Sequence, residues 1–215
     1  MIVTLHQPNF APGASVLTKV LASDVVVWMD TVAYSRNSYT NRNRLPNGSW
    51  LTVPVARGSV YAPINRVLIG EPQKEWRAPV VKALVDAWPG DVTGSVCREI
   101  LRGYPLLVGL NASILRILLV ALGFKGEQHW QSHLDRGHAV PAEASEAAVL
   151  KPISERIAEM VAALGGTIYL SGPSGRNYLD EEPFQVRGVA VEYWAHSGPN
   201  PCALALVDQH MEVAA

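Results

Sequence analysis

Short apolar runs and one amphipathic stretch alternate at the start of the chain. Ile2–Gln7 is apolar and rich in β-branched residues, and Val25–Met29 is a continuous apolar run typical of a strand buried on both faces. Between them, Gly13–Ala22 repeats its apolar residues at helical spacing. The pattern predicts a strand–helix–strand unit of about thirty residues, the size of a parallel βαβ crossover.

Further along the chain, helical spacing dominates until apolar runs return in the last third. Helices are predicted at Trp76–Trp88, Thr93–Arg102, Ala112–Leu122 and Lys151–Leu164, and strands at Trp50–Val55, Val67–Ile69, Thr167–Leu170 and Val186–Trp194. The turn signal Pro46-Asn47-Gly48 precedes the first of these strands, and Gly165-Gly166 closes the last helix. The polar stretch Gly126–Ala148 has little periodicity, which predicts an irregular excursion from the fold.

These elements favour an α/β fold with a partly parallel, Rossmann-like sheet. We predict one α/β domain over residues 1–215, in which 71–164 form a mainly helical insertion. The length of 215 residues and the apolar share of 48% exclude an intrinsically disordered chain.

Cysteine usage and hydropathy bear on where the protein works. The two cysteines, Cys97 and Cys202, lie far apart and form no C-x-x-C pair, which favours a reducing compartment. The chain starts without the basic segment of a signal peptide, and its most apolar stretch, Ile114–Phe124, is far shorter than the ~20 residues of a membrane span. We therefore expect a cytoplasmic protein with no membrane association, and its oligomeric state is left open.

The charges of the chain are unevenly distributed. The formal net charge is −1, but the window Thr31–Gly70 contains no Asp, Glu or Lys. The arginines of this window are Arg36, Arg42, Arg44, Arg57 and Arg66, which give it a charge of +5 and leave −6 for the rest. The balance excludes a generally basic nucleic-acid coat but predicts a local anion site. The alternative is a solvated loop of chance composition.

The segment Tyr34–Arg44 has the side chains that such an anion site needs. Arginine forks bind phosphate or carboxylate, asparagine amides donate hydrogen bonds, and tyrosine rings stack on planar groups. The predicted substrate-binding residues of this segment are Tyr34, Arg36, Asn37, Tyr39, Asn41, Arg42, Asn43 and Arg44. Tyr34 or Tyr39 would stack on an acceptor ring.

Polar residues also follow the first two predicted strands. In parallel α/β sheets, the loops after the carboxyl ends of strands carry the ligand site, so the two loops are expected to face one crevice. His6, with an unperturbed pKa near 6.5, is the candidate base, and Asp30 is the reserve, which could instead bind an ammonium. Gln7 and Asn9 would bind substrate. The alternative for His6 is a hydrogen bond to backbone alone.

A third polar loop follows the strand predicted at Thr167–Leu170. Its residues Ser171 and Gly172 could expose backbone N–H groups to an anion, and Tyr178 follows nearby. The loop is not a P-loop, because the Lys-Ser/Thr ending is absent. An ordinary turn is the alternative.

Other chemistries lack sequence support. His129, His133 and His138 lie close in sequence, but the glutamate of the H-E-x-x-H pattern is missing, so no metal site is predicted. No G-x-S-x-G elbow is present and no G-x-G-x-x-G follows a strand, which leaves hydrolase and dinucleotide-binding functions without support.

Several of these segments together resemble the WbqC-like protein family. The resemblance is carried by His6-Gln7-Pro8-Asn9, Asp24-Val25-Val26-Val27, Tyr34-Ser35-Arg36-Asn37, Asn41-Arg42-Asn43-Arg44, Trp50-Leu51-Thr52-Val53-Pro54-Val55, Tyr169-Leu170-Ser171-Gly172 and Tyr178-Leu179. Members of this family are found in bacterial gene sets for surface polysaccharide, and they are described as glycine or amino-acid transferases that act on sugars. A second resemblance is to phage transferases that join glycine to a pyrophosphorylated hydroxymethyl base in DNA.

The resemblance implies a transferase that forms a C–N bond between an amino acid, with glycine favoured, and a phosphate-activated acceptor. The acceptor would be a nucleotide-linked sugar in O-antigen biosynthesis or a modified pyrimidine in DNA hypermodification. No cofactor is expected, and Mg²⁺ carried by the substrate phosphates is left open. The alternative is a non-catalytic binding module for a phosphorylated glycan or a nucleotide-sugar, and turnover of labelled glycine would distinguish the two.

Overall fold

The computed structural model describes residues 1–70, 75–134, 153–197 and 200–207. In these residues the strands are β1 (Ile2–His6), β2 (Val25–Trp28), β3 (Arg42–Arg44), β4 (Trp50–Thr52), β5 (Glu127–Trp130), β6 (Ile168–Ser171) and β7 (Ala190–Tyr193). The helices are α1 (Ala14–Leu21), α2 (Arg77–Ala87), α3 (Asp91–Arg102), α4 (Leu107–Ala121), α5 (Gln131–Leu134), α6 (Ile153–Ala163) and α7 (Glu182–Gln185). Short 3-10 helices form at Ile64–Arg66 and Pro173–Asn177, and 203–207 are also helical.

The chain forms two compact units, each built from segments that are separate in sequence. Of the described residues, the first unit contains 1–6, 18–29, 125–134 and 153–197, and the second contains 7–17, 30–70, 75–124 and 200–207. Helices α2, α3 and α4 of the predicted insertion belong to the second unit, whereas β5, α5 and α6 belong to the first. One domain over 1–215 stays a prediction.

A parallel sheet organises the first unit. Its strand order is β5-β2-β1-β6-β7, and every neighbouring pair runs parallel. All four residues of β2 are buried, as expected for a strand in the interior of a covered parallel sheet. The α/β class predicted from the sequence is therefore confirmed.

Helices α6 and α7 cover this sheet with apolar side chains. The core joins Val3 and Val27 of the sheet to Ile157 and Val161 of α6, and the rings of Tyr169 and Phe184 stack with centroids 5.3 Å apart. Chain reversal after α6 uses the predicted glycine pair. Gly165 adopts a φ of +74°, and a Cβ on Gly166 would lie 2.6 Å from the Val3 side chain.

Two predictions for the first unit are wrong in part. The stretch Gly126–Ala148 begins with strand β5, which is polar because it lies at the sheet edge and is held by its backbone ladder to β2. Gln128 Oε1 also accepts a hydrogen bond from Trp28 Nε1 at 3.2 Å. The remainder, 135–148, lies outside the described residues. The strand predicted at Val186–Trp194 starts at Ala190, because α7 and a turn at Gly188 precede it.

The second unit combines helices with a small hairpin. Its helices α3 and α4 pack together, and β3 pairs with β4 in an antiparallel ladder that joins Arg44 to Trp50. Strand β3 lies at the end of the arginine-rich segment Tyr34–Arg44. The segments predicted as strands at Trp50–Val55 and Val67–Ile69 are joined by a bridge between Val55 and Ile69. No helix in the described part of the chain is long and apolar enough to cross a membrane.

Candidate functional site

The parallel strands of the first unit end at one edge, where α/β folds bind their ligands. His6, Trp28 and Ser171 are the last residues of β1, β2 and β6. The register pairs His6 with Trp28, so these two residues end their strands at the same level. The sheet therefore places His6 and Ser171, both predicted site residues, at its carboxyl edge, and their role in binding stays a prediction.

A buried lysine lies beside His6. Lys19 projects from α1 with 4% of its surface exposed, and its Nζ donates a hydrogen bond to the carbonyl oxygen of Leu5 at 3.1 Å. Burial lowers the pKa of Lys19 to about 8. Burial and, next, the positive charge of Lys19 lower the pKa of His6 to about 3.

These shifts change the role that His6 can take. The expectation of an unperturbed pKa near 6.5 is wrong, because the imidazole is desolvated and faces a cation. At neutral pH His6 is a neutral imidazole with one N–H donor and one acceptor nitrogen. Its catalytic role stays a prediction, but the pKa argument that favoured it as a general base is lost.

The loop after β6 is compact. Ser171 is buried and its Oγ donates to the Gly172 carbonyl oxygen at 3.2 Å, while Gly175 N donates to the same carbonyl at 3.0 Å. A Cβ on Gly175 would collide with the Ser171 side chain. Tyr178 is exposed beyond this loop. The turn alternative accounts for these bonds, and the predicted ligand role of Ser171, Gly172 and Tyr178 stays a prediction.

In the second unit, the loop that carries Gln7 and Asn9 contacts the arginine-rich segment. Thr40 Oγ1 donates to Gln7 Oε1 at 3.4 Å, and Phe10 N donates to the Tyr39 carbonyl at 3.1 Å. Asn111 of α4 ties the two segments together, because its Nδ2 donates to the carbonyl oxygens of Pro8 at 2.7 Å and Thr40 at 2.8 Å. The structure thus brings these two predicted regions together.

Three predicted ligand residues are used by the fold itself. Tyr34 is 1% exposed and donates its hydroxyl to Asn41 Oδ1, so the stacking role is left to Tyr39. The amide nitrogen of Asn41 donates to Val53 O at 2.8 Å, and that of Asn43 donates to the Ala11 carbonyl. The two asparagines hold the loop through these bonds, and their predicted role as donors to a ligand stays a prediction.

The remaining polar residues form what we call the arginine–tryptophan cluster: Tyr39, Arg42, Arg44 and Trp50. The guanidinium carbons of Arg42 and Arg44 lie 3.8 and 4.6 Å from the centre of the Trp50 ring, and the Tyr39 ring lies 5.8 Å away. The register explains this arrangement, since Arg44 pairs with Trp50 and Arg42 lies two residues along the same strand face.

The cluster is accessible and well held. Trp50 is 38% exposed and Tyr39 is 50% exposed. An Arg42 terminal nitrogen donates to the Asn37 carbonyl at 2.5 Å, while its Nε is buried without a hydrogen-bond partner. Arg36 and Asn37 are exposed next to it in sequence. Fixed guanidinium planes beside exposed rings suit a ligand that combines a phosphate with a planar group.

The other predicted residues are not members of this cluster, and one of them is outside the described residues. Asp30 is buried in the second unit, and its carbonyl oxygen accepts a hydrogen bond from Asn65 N at 2.8 Å. His129 Nε2 lies 3.1 Å from Glu127 Oε2, and His138 lies outside the described residues. Within the described ranges, no three His, Cys, Asp or Glu side chains are grouped to hold a metal.

Sequence reasoning missed three residues of these regions. Trp50 was available from the turn signal at Pro46-Asn47-Gly48, which predicts that the arginines fold back against the next strand. Asn111 shares the apolar face of its helix with Ile114 and Leu118, a position where a polar residue must find buried partners. Lys19 is the lone charge in its helix.

The protein has a parallel α/β sheet in its first unit, and the hairpin of β3 and β4 in its second unit carries Arg42 and Arg44. The chain belongs to the WbqC-like protein family, which it matches over residues 7–201, and this confirms the resemblance seen in the sequence. The uncharacterized protein Rv1507c of Mycobacterium tuberculosis (strain ATCC 25618 / H37Rv) is 24% identical over 206 residues, which cover 91% of this chain and 83% of that protein. No solved structure matches the chain.

Proposed function

We propose that the protein transfers an amino acid, with glycine favoured, to a phosphate-activated acceptor. The amine nitrogen attacks the activated carbon, so a C–N bond forms while the C–O bond to the phosphate breaks. The electron pair of the broken bond leaves with the phosphate or pyrophosphate, and one amine proton passes to a base. Membership of the WbqC-like family is consistent with an enzyme of this kind.

The arginine–tryptophan cluster is the observation that carries the proposal. A phosphate leaving group gains negative charge as its bond breaks, and permanently charged guanidinium groups stabilise that charge. Arg42 and Arg44 are oriented by Trp50, and the surrounding window holds no acidic residue that would neutralise them. Arg36 and Asn37 would add donors, and Gln7 and Asn9 lie in the segment that contacts this loop.

The exposed rings of the cluster indicate the kind of acceptor that could bind there. Tyr39 and Trp50 can stack on the planar base of a nucleotide-linked sugar or on a pyrophosphorylated hydroxymethyl pyrimidine in phage DNA. Both acceptors therefore remain in the proposal. Glycosyltransferase genes beside this gene would favour the sugar, and hydroxymethylpyrimidine kinase genes would favour DNA.

The proton acceptor is His6 or Asp30. An amino acid is largely an ammonium at neutral pH and must lose a proton before its nitrogen can attack. Because the pKa of His6 is lowered to about 3, His6 would take this proton only weakly. We therefore expect turnover to rise with pH, following the fraction of free amine, whichever residue assists.

The test measures binding and turnover separately. Pyrophosphate is titrated into the protein by calorimetry, and transfer of radiolabelled glycine is assayed with a nucleotide-sugar and with DNA carrying the pyrophosphorylated base. Arg42→Ala with Arg44→Ala should weaken pyrophosphate binding at least about a hundredfold, since each charge-assisted contact contributes roughly 1.5–3 kcal/mol.

A matched variant controls for charge. Arg57→Ala with Arg66→Ala removes two exposed arginines from the same window and should leave pyrophosphate affinity within about threefold of wild type. Equal losses of pyrophosphate affinity in both double variants would show that the cluster is not the binding site. Pyrophosphate or nucleotide-sugar binding without glycine transfer to either acceptor would instead favour the non-catalytic binding module.

A further inference from the structure

A lysine that has no acidic partner among the described residues is buried beside the carboxyl end of β1. Lys19 is 4% exposed, and its Nζ donates to the Leu5 carbonyl oxygen at 3.1 Å. Among the described residues, no carboxylate lies within ion-pair distance of Nζ. An ammonium offers three donors, and one backbone carbonyl occupies only one of them.

Such a charge is unfavourable unless something compensates it. Removing an ammonium from water costs several kcal/mol, and a single neutral carbonyl returns only part of that cost. Burial accordingly lowers the pKa of Lys19 to about 8, as expected for a buried ammonium without a counter-charge. An apolar residue at this position on α1 would avoid the cost. A bound anion would also remove it.

His6, at the end of β1, lies close enough to Lys19 for their charges to interact. Burial and, next, the charge of Lys19 lower the pKa of His6 to about 3, so the imidazole is neutral at physiological pH and adds no charge beside the ammonium. Lys19 is therefore the cation that an anion would meet here.

We propose that Lys19, beside His6, is a subsite for a small carboxylate, and that this carboxylate is the α-carboxylate of the transferred amino acid. The assignment to the amino acid rests on the proposed function. One ammonium balances the single charge of a carboxylate, and Lys19 is almost fully enclosed by the protein. A pyrophosphate, with several charges, is matched instead by the exposed guanidinium groups of the arginine–tryptophan cluster.

The binding test uses acetate, glycine and glycinamide. Calorimetric or NMR titration should show that acetate and glycine bind the wild-type protein, whereas glycinamide, which lacks the carboxylate, binds at least about tenfold more weakly. Lys19→Met should weaken acetate and glycine about ten- to hundredfold. Lys82→Met, which removes an exposed lysine of α2, is the matched control and should change neither affinity.

A second measurement needs no variant at Lys19. Because the pKa of Lys19 is about 8, the group is about half protonated at pH 8, and a bound carboxylate should complete its protonation. Acetate binding at that pH should therefore take up about half a proton, read from the dependence of the calorimetric enthalpy on the buffer. A lysine that only holds the Leu5 carbonyl would take up none.

The outcomes separate this proposal from the proposed function. Acetate binding that is absent, or that involves no proton uptake and is unchanged in Lys19→Met, overturns the subsite. If Lys19→Met does not fold, proton uptake by the wild-type protein decides. Lys19-dependent binding without glycine transfer to any acceptor upholds the subsite and removes the transferase. Glycine transfer with an unchanged KM for glycine in Lys19→Met upholds the transferase and removes the subsite.

Discussion

The sheet edge of the first unit and the hairpin of the second unit both present positive charge, in opposite physical settings. Lys19 is buried, has one hydrogen bond to a backbone carbonyl and has a pKa lowered to about 8. Arg42 and Arg44 lie over an exposed tryptophan ring, and the guanidinium group is the permanent cation among the side chains of proteins. The comparison shows how one chain obtains a titratable cation and a permanent one.

The difference follows from the chemistry of the two side chains. A guanidinium is weakly hydrated and planar, so it can rest on an aromatic face and still offer donors to a ligand. An ammonium is strongly hydrated, so burial acts on its pKa directly. The hairpin therefore suits multiply charged phosphates, and the sheet edge suits a small anion whose binding changes protonation.

The largest effect is expected at Asn111, which holds the segments of the second unit. Asn111→Ala leaves the carbonyl oxygens of Pro8 and Thr40 buried without this donor, and each orphaned acceptor costs roughly 1–3 kcal/mol. We expect a loss of about 2–4 kcal/mol in the free energy of unfolding, measured by urea denaturation. Pyrophosphate binding by the folded variant should weaken as well, because Thr40 leads into the cluster.

The exposed residue Asn177 of the first unit provides the control. Asn177→Ala should change the unfolding free energy by less than about 0.5 kcal/mol. If Asn111→Ala cost no more than this control, the two carbonyl bonds would not be what holds the Pro8 and Thr40 segments together.

A smaller effect is expected from pH, and it concerns the first unit. The folded pKa of Lys19, about 8, is below the value of 10.5 for a free lysine. Between these values the unfolded chain binds a proton that the folded chain does not, so the Lys19 contribution to stability rises with pH. From about pH 7 to about pH 9, wild type should gain about 1 kcal/mol relative to Lys19→Met.

In the difference between wild type and Lys19→Met, the contributions of the other groups that titrate in this pH range cancel. Burial raises the pKa of Cys97, and it raises that of Cys202 to about 11, so both thiols oppose the rise above the pKa of a free cysteine. They are present in both proteins and cancel in the difference. Parallel stability curves for wild type and Lys19→Met would show that the ammonium is solvated.

The sequence predicted most reliably the elements whose apolar pattern reports their burial. Strand β2 is a continuous apolar run and is buried throughout, and α6 ends at the predicted glycine pair. Strand β5 was missed because it is held by backbone pairing with β2, while its first three side chains are polar. The order of side chains in a sequence does not show where two strands pair through backbone hydrogen bonds.

The same limit applies to the candidate site. The arginine-rich segment was found because its composition is unusual, but the inward orientation of Asn41 and Asn43 depends on distant carbonyls of Val53 and Ala11. The pKa of His6 is lowered by burial and, next, by the charge of Lys19, which is thirteen residues away and brought close by the strand–helix packing. The residue types indicated the kind of chemistry, but the hydrogen-bond partners and the burial of each side chain decide what that side chain can do.

The smallest expected effect is the response of acetate binding to salt, and its comparison with the response of pyrophosphate binding tests the difference between the two cation sites directly. From about 0.1 M to about 1 M ionic strength the Debye length shortens from about 10 Å to about 3 Å, which screens exposed charges far more than buried ones. Calorimetric affinity for pyrophosphate at the exposed arginines should fall about tenfold over this range, while acetate affinity at buried Lys19 should fall less than about twofold. Measuring both ligands on one preparation of protein in the same buffers removes differences in folding. A fall in acetate affinity as steep as that of pyrophosphate would place the acetate at an exposed cation, because only a solvated charge is screened in that way.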